Sequence, residues 1–233
     1  MKTIIYPADS RGKGEHGWLH SRFSFSFADY YNSDRMGFGT LRVLNDDIID
    51  PGYGFDTHPH ENMEIITVVL EGKLAHKDSM GHVSVIKPDD IQVMSAGTGM
   101  THSEYNHSRK NSVKLLQLWI IPNKQVKPRY DQRSFSFAKN KMIPIVSGQK
   151  NSNTLFIHQD AFLSIGNFEK GKKATYNVTG KKNGVYLFLI QGKVTLDNDT
   201  LTTRDAIGIT DTKEIDLSFN EDSQILIIEV PVR

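Results

Sequence analysis

The sequence predicts an all-β protein built as two domains of one design, and three observations carry that reading. Apolar residues recur in short alternating or continuous runs, with almost no long helical periodicity. Eighteen Gly, with Asp, Asn and Pro, punctuate those runs in the manner of tight turns. Three segments of the first half recur, in order, in the second.

Each run reads as a strand on its own terms. Phe23-Ser24-Phe25-Ser26-Phe27 alternates apolar and polar residues, the mark of a half-buried strand. Leu41 to Leu44, Ile65 to Leu70 and Leu115 to Ile121 follow, with Tyr186 to Ile190 and Ile225 to Val230 in the second half. These runs are rich in Val, Ile, Phe and Thr, as sandwich or barrel strands are. The duplication links the two sets. Val68-Val69-Leu70-Glu71-Gly72-Lys73-Leu74 matches Phe188-Leu189-Ile190-Gln191-Gly192-Lys193-Val194 at an offset of 120. Pro88 to Ile91 matches Thr203 to Ala206 at 115, and Leu116 to Pro122 matches Ile225 to Pro231 at 109. The order is kept while the offset shrinks, as expected for a second copy with shorter loops. Two β-domains are expected, over residues 1–130 and 131–233. The polar stretch Asn123 to Arg133, flanked by Pro122 and containing Pro128, suits a linker better than a central strand.

Composition narrows what such a chain can do. Hydrophobic residues make up 38% of the 233 and charged residues 24%, which provides a core and argues against disorder. The 28 basic and 27 acidic side chains leave a net charge of +1, so the electrostatic footprint of a nucleic-acid binder is missing. No apolar run reaches the roughly 18 residues of a membrane span. Met1-Lys2-Thr3-Ile4-Ile5-Tyr6-Pro7 has too short an apolar stretch for a secretory signal, and a cytoplasmic, monomeric protein is expected. With no Cys, any metal must be held by His and carboxylates.

The histidines are clustered. Six of the nine, His58, His60, His76, His82, His102 and His107, fall within 50 residues, where uniform scattering would place about two. Two pairs stand out, His58-Pro59-His60, followed by Glu64, and His102-Ser103-Glu104. In a strand, residues i and i+2 share a face, so each pair can aim two donors into one cavity. Three imidazoles and one carboxylate suit a divalent first-row metal with one or two positions left open. His76 and His82 read as a polar surface hairpin, and His16, His20 and His158 as ordinary polar residues. The second copy is an internal control. At its register His58, His60 and Glu64 correspond to Val178, Gly180 and Gly184, and His102 and Glu104 to Leu217 and Phe219. None of these can ligate through a side chain, so one metal site, in the N-terminal domain, is expected.

Residues 52–72, Gly-Tyr-Gly-Phe-Asp-Thr-His-Pro-His-Glu-Asn-Met-Glu-Ile-Ile-Thr-Val-Val-Leu-Glu-Gly, resemble the first cupin motif. Residues 94–106, Met-Ser-Ala-Gly-Thr-Gly-Met-Thr-His-Ser-Glu-Tyr-Asn, resemble the second, in the variant typical of pirins. Phe23 to Tyr31, Glu71 to Gly81 and Pro128-Arg129-Tyr130 are also pirin-like, and the resemblance covers the whole chain. It implies a bicupin of two face-to-face β-barrels (jelly rolls), with metal ligands at His58, His60, His102 and Glu104. In many cupins the fourth ligand is the carboxylate of the first motif, here Glu64; the pirin pattern moves that role to Glu104. Glu64 is then expected to orient a ligand imidazole by accepting its free N–H. Gly97 and Gly99 are expected to turn the chain tightly before His102.

The resemblance also implies a function. The leading expectation is a metal-dependent dioxygenase of the quercetin 2,3-dioxygenase type, acting on a small aromatic, flavonol-like substrate with O2 and releasing carbon monoxide. Glu104 would be both ligand and catalytic base. The family equally implies an alternative, an iron-bound, redox-sensitive regulator that meets a transcription factor or enzyme partner. A cupin isomerase or small-molecule binder is a third option. Iron(II) is the family-based expectation for the metal, with Ni, Mn, Co, Cu and Zn also accepted by such a donor set.

Overall fold

The computed structural model describes residues 1–150 and 153–232. The first half runs through β1 (Lys2–Tyr6), β2 (Gly12–Glu15), β3 (Leu19–Phe23), β4 (Leu41–Ile49), β5 (Gly54–His60) and β6 (Glu64–Glu71). It continues with β7 (Leu74–Asp78), β8 (Val83–Ile86), β9 (Asp90–Ser95), β10 (Met100–Asn106) and β11 (Val113–Ile120). Then come β12 (Arg129–Ser134), β13 (Lys141–Ser147), β14 (Leu155–Phe156), β15 (Phe162–Phe168), β16 (Lys173–Asn177) and β17 (Asn183–Gln191). The chain ends with β18 (Lys193–Leu196), β19 (Asp199–Thr202), β20 (Ala206–Thr210), β21 (Glu214–Phe219) and β22 (Ser223–Pro231). One 3-10 turn, Ala8–Ser10, is the only helical element among the described residues, and no helix is long and apolar enough to cross a membrane.

Both halves follow one plan. A seven-stranded sheet, β12-β9-β6-β11-β4-β3-β2, packs on a four-stranded one, β5-β10-β7-β8. The second half repeats this as β1-β20-β17-β22-β15-β13-β14 on β16-β21-β18-β19. The orders correspond up to the outer edge, where β14 runs parallel to β13 while β2 runs antiparallel to β3, so the sequence repeat is a repeat of topology. Double-sheet jelly rolls of this kind make cupins.

The outermost strands are exchanged. β1, at the start of the chain, pairs with β20 in the second half's sheet. β12 follows the last strand of the first copy and pairs with β9 in the first half's sheet. Residues 129–133, expected within a linker, therefore form an edge strand together with Ser134, and the expected boundary at 130 falls inside it. Pro122 and Pro128 stay outside the strand, as the missing donor of Pro requires. The first expected strand, Phe23 to Phe27, lies earlier than read and shares only Phe23 with β3. β3 ends at Phe23, because Ser26 is drawn into a turn by bonds to Asn32 O (2.8 Å) and from its own N–H to Arg35 O (2.6 Å). Phe25 still reaches the core.

Alternation then distributes the apolar side chains. In β17, Tyr186, Phe188 and Ile190 face the cluster between the two seven-stranded sheets, while Val185, Leu187 and Leu189 fill the second barrel. β22 does the same with Leu226, Ile228 and Val230 against Ile225 and Ile227. Strands buried on both faces read as continuous apolar runs, which is why these were the clearest in the sequence. The cluster between the sheets draws on both halves, Leu44, Ile66, Leu116 and Leu118 meeting Tyr186, Phe188 and Leu226. The barrels therefore stand face to face.

Candidate metal centre

The interior of the first barrel is polar where the second is apolar. β10 alternates buried Met100, His102, Glu104 and Asn106 with outward Thr101, Ser103 and Tyr105. Antiparallel pairing sets His102 directly opposite His58 on β5, and Met100 opposite His60. A β-bulge between His102 and Glu104 locally re-aims the strand. Gly54 makes room for it, since a Cβ there would come within 2.2 Å of the Glu104 carbonyl oxygen. Gly97 and Gly99 hold φ of +52° and +121° in the turn before β10, as expected of them.

These elements converge three imidazoles. Ring centroids lie 4.4 Å apart for His58 and His102, 4.9 Å for His58 and His60, and 4.8 Å for His60 and His102. One donor nitrogen from each lies within 4.8 Å of the other two. A second set at the same spacing comprises His76, His102 and Glu104, so His102 belongs to both. His102 is 1% exposed and Glu104 2%. Both ring nitrogens of His102, Nε2 of His60 and Oε1 of Glu104 are buried without a hydrogen-bond partner. Unpaired buried polar atoms cost roughly 1–3 kcal/mol each, so three neighbouring side chains that carry them call for a ligand that satisfies them. A divalent cation fits this donor set.

Electrostatics agree with that fit. Burial lowers His102 to about 2, helped by the nearby His58, His60 and His76, and lowers His60 to about 4. Both rings are neutral at physiological pH, with lone pairs free to ligate. Burial raises Glu104 to about 7, reinforced by the Asp47 charge and opposed by the Gln117 hydrogen bond. The surroundings fix the rings and the carboxylate. His58 Nδ1 donates to the Asp56 carbonyl at 2.7 Å, which leaves its Nε2 for the centre. Gln117 Nε2 donates to Glu104 Oε2 at 2.8 Å, and the Trp119 indole packs edge-on to His60 at 4.9 Å.

Two expectations are corrected here. His76 is not on a polar surface hairpin. It is 2% exposed, its ring lies 5.4 Å from that of His102, and Tyr130 of β12 stacks on it at 4.9 Å. The signal was present, since Leu74, His76 and Asp78 alternate inward along β7. Glu64, for its part, accepts from Ser95 Oγ at 2.8 Å and from His158 Nδ1 at 2.9 Å, rather than from a ligand imidazole. His158 comes from the second half, so Glu64 joins the barrels. Cross-strand pairing also shifts the internal control by a few residues. Phe219 lies opposite Val194 as Asn106 lies opposite Leu74, so Leu217 answers to Glu104, and Ile215, opposite Tyr176, answers to His102 opposite His58.

A cavity of about 540 Å³ opens onto the centre, within the roughly 300–1,000 Å³ usual for small-molecule sites. Its walls are aromatic, with Trp18, Phe23, Phe27, Phe55 and Trp119 leading to His58, His60 and Glu104.

Fold and site together define a two-barrel cupin with one histidine-lined cavity suited to a divalent metal. Comparison with known proteins gives the family. The Pirin family model matches residues 6–120, and the model of the quercetinase C-terminal cupin domain matches residues 144–230. The chain is 40% identical to a quercetin 2,3-dioxygenase of Escherichia coli K12 over 225 residues, 96% of each chain. It is 36% identical to a pirin-like protein of Caulobacter vibrioides over 227 residues, covering 96% of this chain and 97% of that one. The crystal structure of the bacterial pirin YhhW from E. coli, in complex with nickel(II), superposes with a TM-score of 0.94 at 38% identity, covering 99% of both chains. The chain belongs to the pirin family.

Proposed function

We propose that this protein is a metal-dependent dioxygenase of the quercetin 2,3-dioxygenase type. In this reading one divalent ion is held by His58, His60, His102 and Glu104 in the N-terminal domain (residues 1–130 as read from the sequence), and the domain over 131–233 carries no ligands. Iron(II) is the metal we assign, with Ni, Mn, Co, Cu and Zn as the competing choices. The observation that supports the reading best is the convergence of His58, His60 and His102 beside Glu104, three of the four with buried partnerless atoms, at the floor of an aromatic cavity. When bound, the ion supplies Lewis acidity toward a substrate oxyanion and brings dioxygen into reaction.

The chain's own residues do the rest. Trp18, Phe55 and Trp119 hold the flat rings of a flavonol and exclude water from the reacting centre. Glu104 accepts the proton of the substrate 3-hydroxyl at Oε1, the oxygen free of a protein partner. Gln117 fixes the other oxygen and so the direction in which Oε1 points. His76, close to His102 and Glu104, packs the far side of the ligand set. Ring opening then releases carbon monoxide.

The test is oxygen uptake and carbon monoxide release with quercetin, using protein whose metal content has been measured after purification without added metal. Turnover that scales with bound metal supports the enzyme. No turnover in the metal-replete protein, together with metal-redox-dependent capture of a protein partner, replaces it with the regulator reading.

A further inference from the structure

β4 carries a feature that the metal centre does not use. Asn45, Asp46 and Asp47 follow one another along it, and alternation sends the middle residue the other way. Asp46 pairs with Arg11 at 3.2 Å and with Arg204 of the second half at 3.0 Å, an ion-pair role joining the barrels. Asn45 and Asp47 face the cavity, where they share walls with His58, His60 and Glu104. They are 3% and 4% exposed, and Oδ1 of each is buried without a partner. Asp47 is near enough to Glu104 for its charge to act on that carboxyl, and Ser21 on the neighbouring β3 bonds to it.

The corresponding positions of the second barrel show that the fold does not need these groups. Asn45 lies opposite Gln117 and Asp47 opposite Leu115; in the second half Ser164 lies opposite Ile227 and Gly166 opposite Ile225. There, the Phe168 ring covers Gly166 and stacks on Phe219 at 4.2 Å. A barrel of this design can therefore close with small and aromatic residues at these places. Keeping a partnerless amide oxygen and a partnerless carboxylate oxygen inside the first barrel is costly unless something donates to them.

We propose that Asn45 and Asp47 form a second polar subsite of the cavity, which accepts hydrogen bonds from a further hydroxyl group of the substrate and selects polyhydroxylated aromatics over sparsely hydroxylated ones. This rests on the dioxygenase reading for the class of ring that enters. The aromatic walls supply affinity for any flat ring, whereas Asn45 and Asp47 discriminate, because a ring without the hydroxyl leaves both acceptors unpaired.

The experiment is anaerobic binding of two probes to the metal-loaded protein, followed by quenching of tryptophan fluorescence. Quercetin carries five hydroxyls; 3-hydroxyflavone carries only the one that addresses the metal centre. Wild type is expected to bind quercetin about tenfold more tightly or better. Asp47→Ala and Asn45→Ala are expected to bring the ratio of the two affinities to within about twofold, with 3-hydroxyflavone affinity held. The second probe reports that the site is intact, so a misfolded variant is recognised by losing both; Asp47→Asn, which keeps the shape, then replaces it and is expected to reduce the ratio partially. Variants that keep the wild-type ratio, or a wild type that binds both probes equally, overturn the subsite and leave the dioxygenase reading standing. A metal-loaded wild type that binds neither probe overturns both.

Discussion

The two barrels of this chain answer one folding problem in opposite ways. At strand positions matched by cross-strand pairing the first carries His102, Glu104 and Asn106 where the second carries Ile215, Leu217 and Phe219, and Thr67, Gln92 and Gln117 where the second carries Leu187, Ile207 and Ile227. The second barrel closes around a continuous apolar cluster, with Phe168 and Phe219 stacked at 4.2 Å. The first divides its apolar residues into two smaller clusters, around Ile49, Leu74 and Leu115 at one end and Ile65, Met94 and Met100 at the other. Polar groups occupy the gap. A barrel can host a reactive centre by giving up part of its core, and its stability is then drawn from the shared layer between the large sheets.

That contrast is broken most severely at one pair of positions. His102→Ala is expected to abolish tight metal binding and turnover, as are His58→Ala and His60→Ala, while each variant keeps most of its thermal stability. Ile215→Ala, at the matched place, should leave one metal equivalent per chain and cost roughly 2–5 kcal/mol of stability, the range for a buried Ile in a close-packed core. Metal analysis and urea unfolding of the variants measure both. Two tightly bound equivalents in wild type, or wild-type affinity in a His variant, would remove the asymmetry on which the site assignment rests.

The carboxylates sharpen the comparison at the next scale. Glu104→Gln should suppress turnover by about 10² to 10⁴, the range for lost general acid–base help. Glu64→Gln should affect turnover less, because its partners are Ser95 and His158 rather than the imidazoles of the centre. Its cost should appear as stability, about 1–3 kcal/mol, and should be largely absent when His158 is already replaced. Both variants are compared at saturating metal. If Glu64→Gln proves the more damaging to turnover there, the first-motif carboxylate is the one that matters.

The sequence showed the doubly buried strands and the histidine pairs because a period of two is visible without any partner strand. Tyr186 to Ile190 and Ile225 to Val230 read directly, and His58, His60, His102 and Glu104 were picked out before their distances were known. What it hid depends on pairing across the sheets. The exchange of β1 and β12 cannot be read locally, since an edge strand has the same pattern whichever sheet it joins. His76 was misplaced because Lys77 and Asp78 beside it look like surface, although Asp78 is itself buried and bonds to His82 at 2.9 Å. Asn45 and Asp47 were missed because acidic residues next to one another suggest a turn until strand alternation separates them.

The smallest expected effect is a slope in pH, and it isolates the polar interior of the first barrel. In the metal-free protein, burial raises Asp47 and Glu104 to about 7, from ordinary values of 3.8 and 4.5. The unfolded chain ionises these groups first, so the stability tied to their neutral forms is complete below about pH 4 and lost as pH rises through about 7. Glu64, also raised by burial, adds in the same direction. His60 and His102 act oppositely. Lowered to about 4 and about 2, they refuse protons that the unfolded chain accepts below 6.5, so their contribution is present above 6.5 and lost as pH falls. Between 6.5 and about 7.5 the unfolded imidazoles still release protons and partly offset the carboxyls; above about 7.5 the carboxyls dominate. Metal-free wild type should therefore lose stability as pH rises from about 7 to 8, at no more than about 1.4 kcal/mol per pH unit for each group still titrating. Asp47→Asn should shallow that slope, whereas Ile215→Ala should lower the whole curve and leave the slope intact. Urea midpoints at half-unit intervals with a chelator present measure it. An Asp47→Asn curve parallel to wild type would mean that Asp47 is not held neutral in the first barrel.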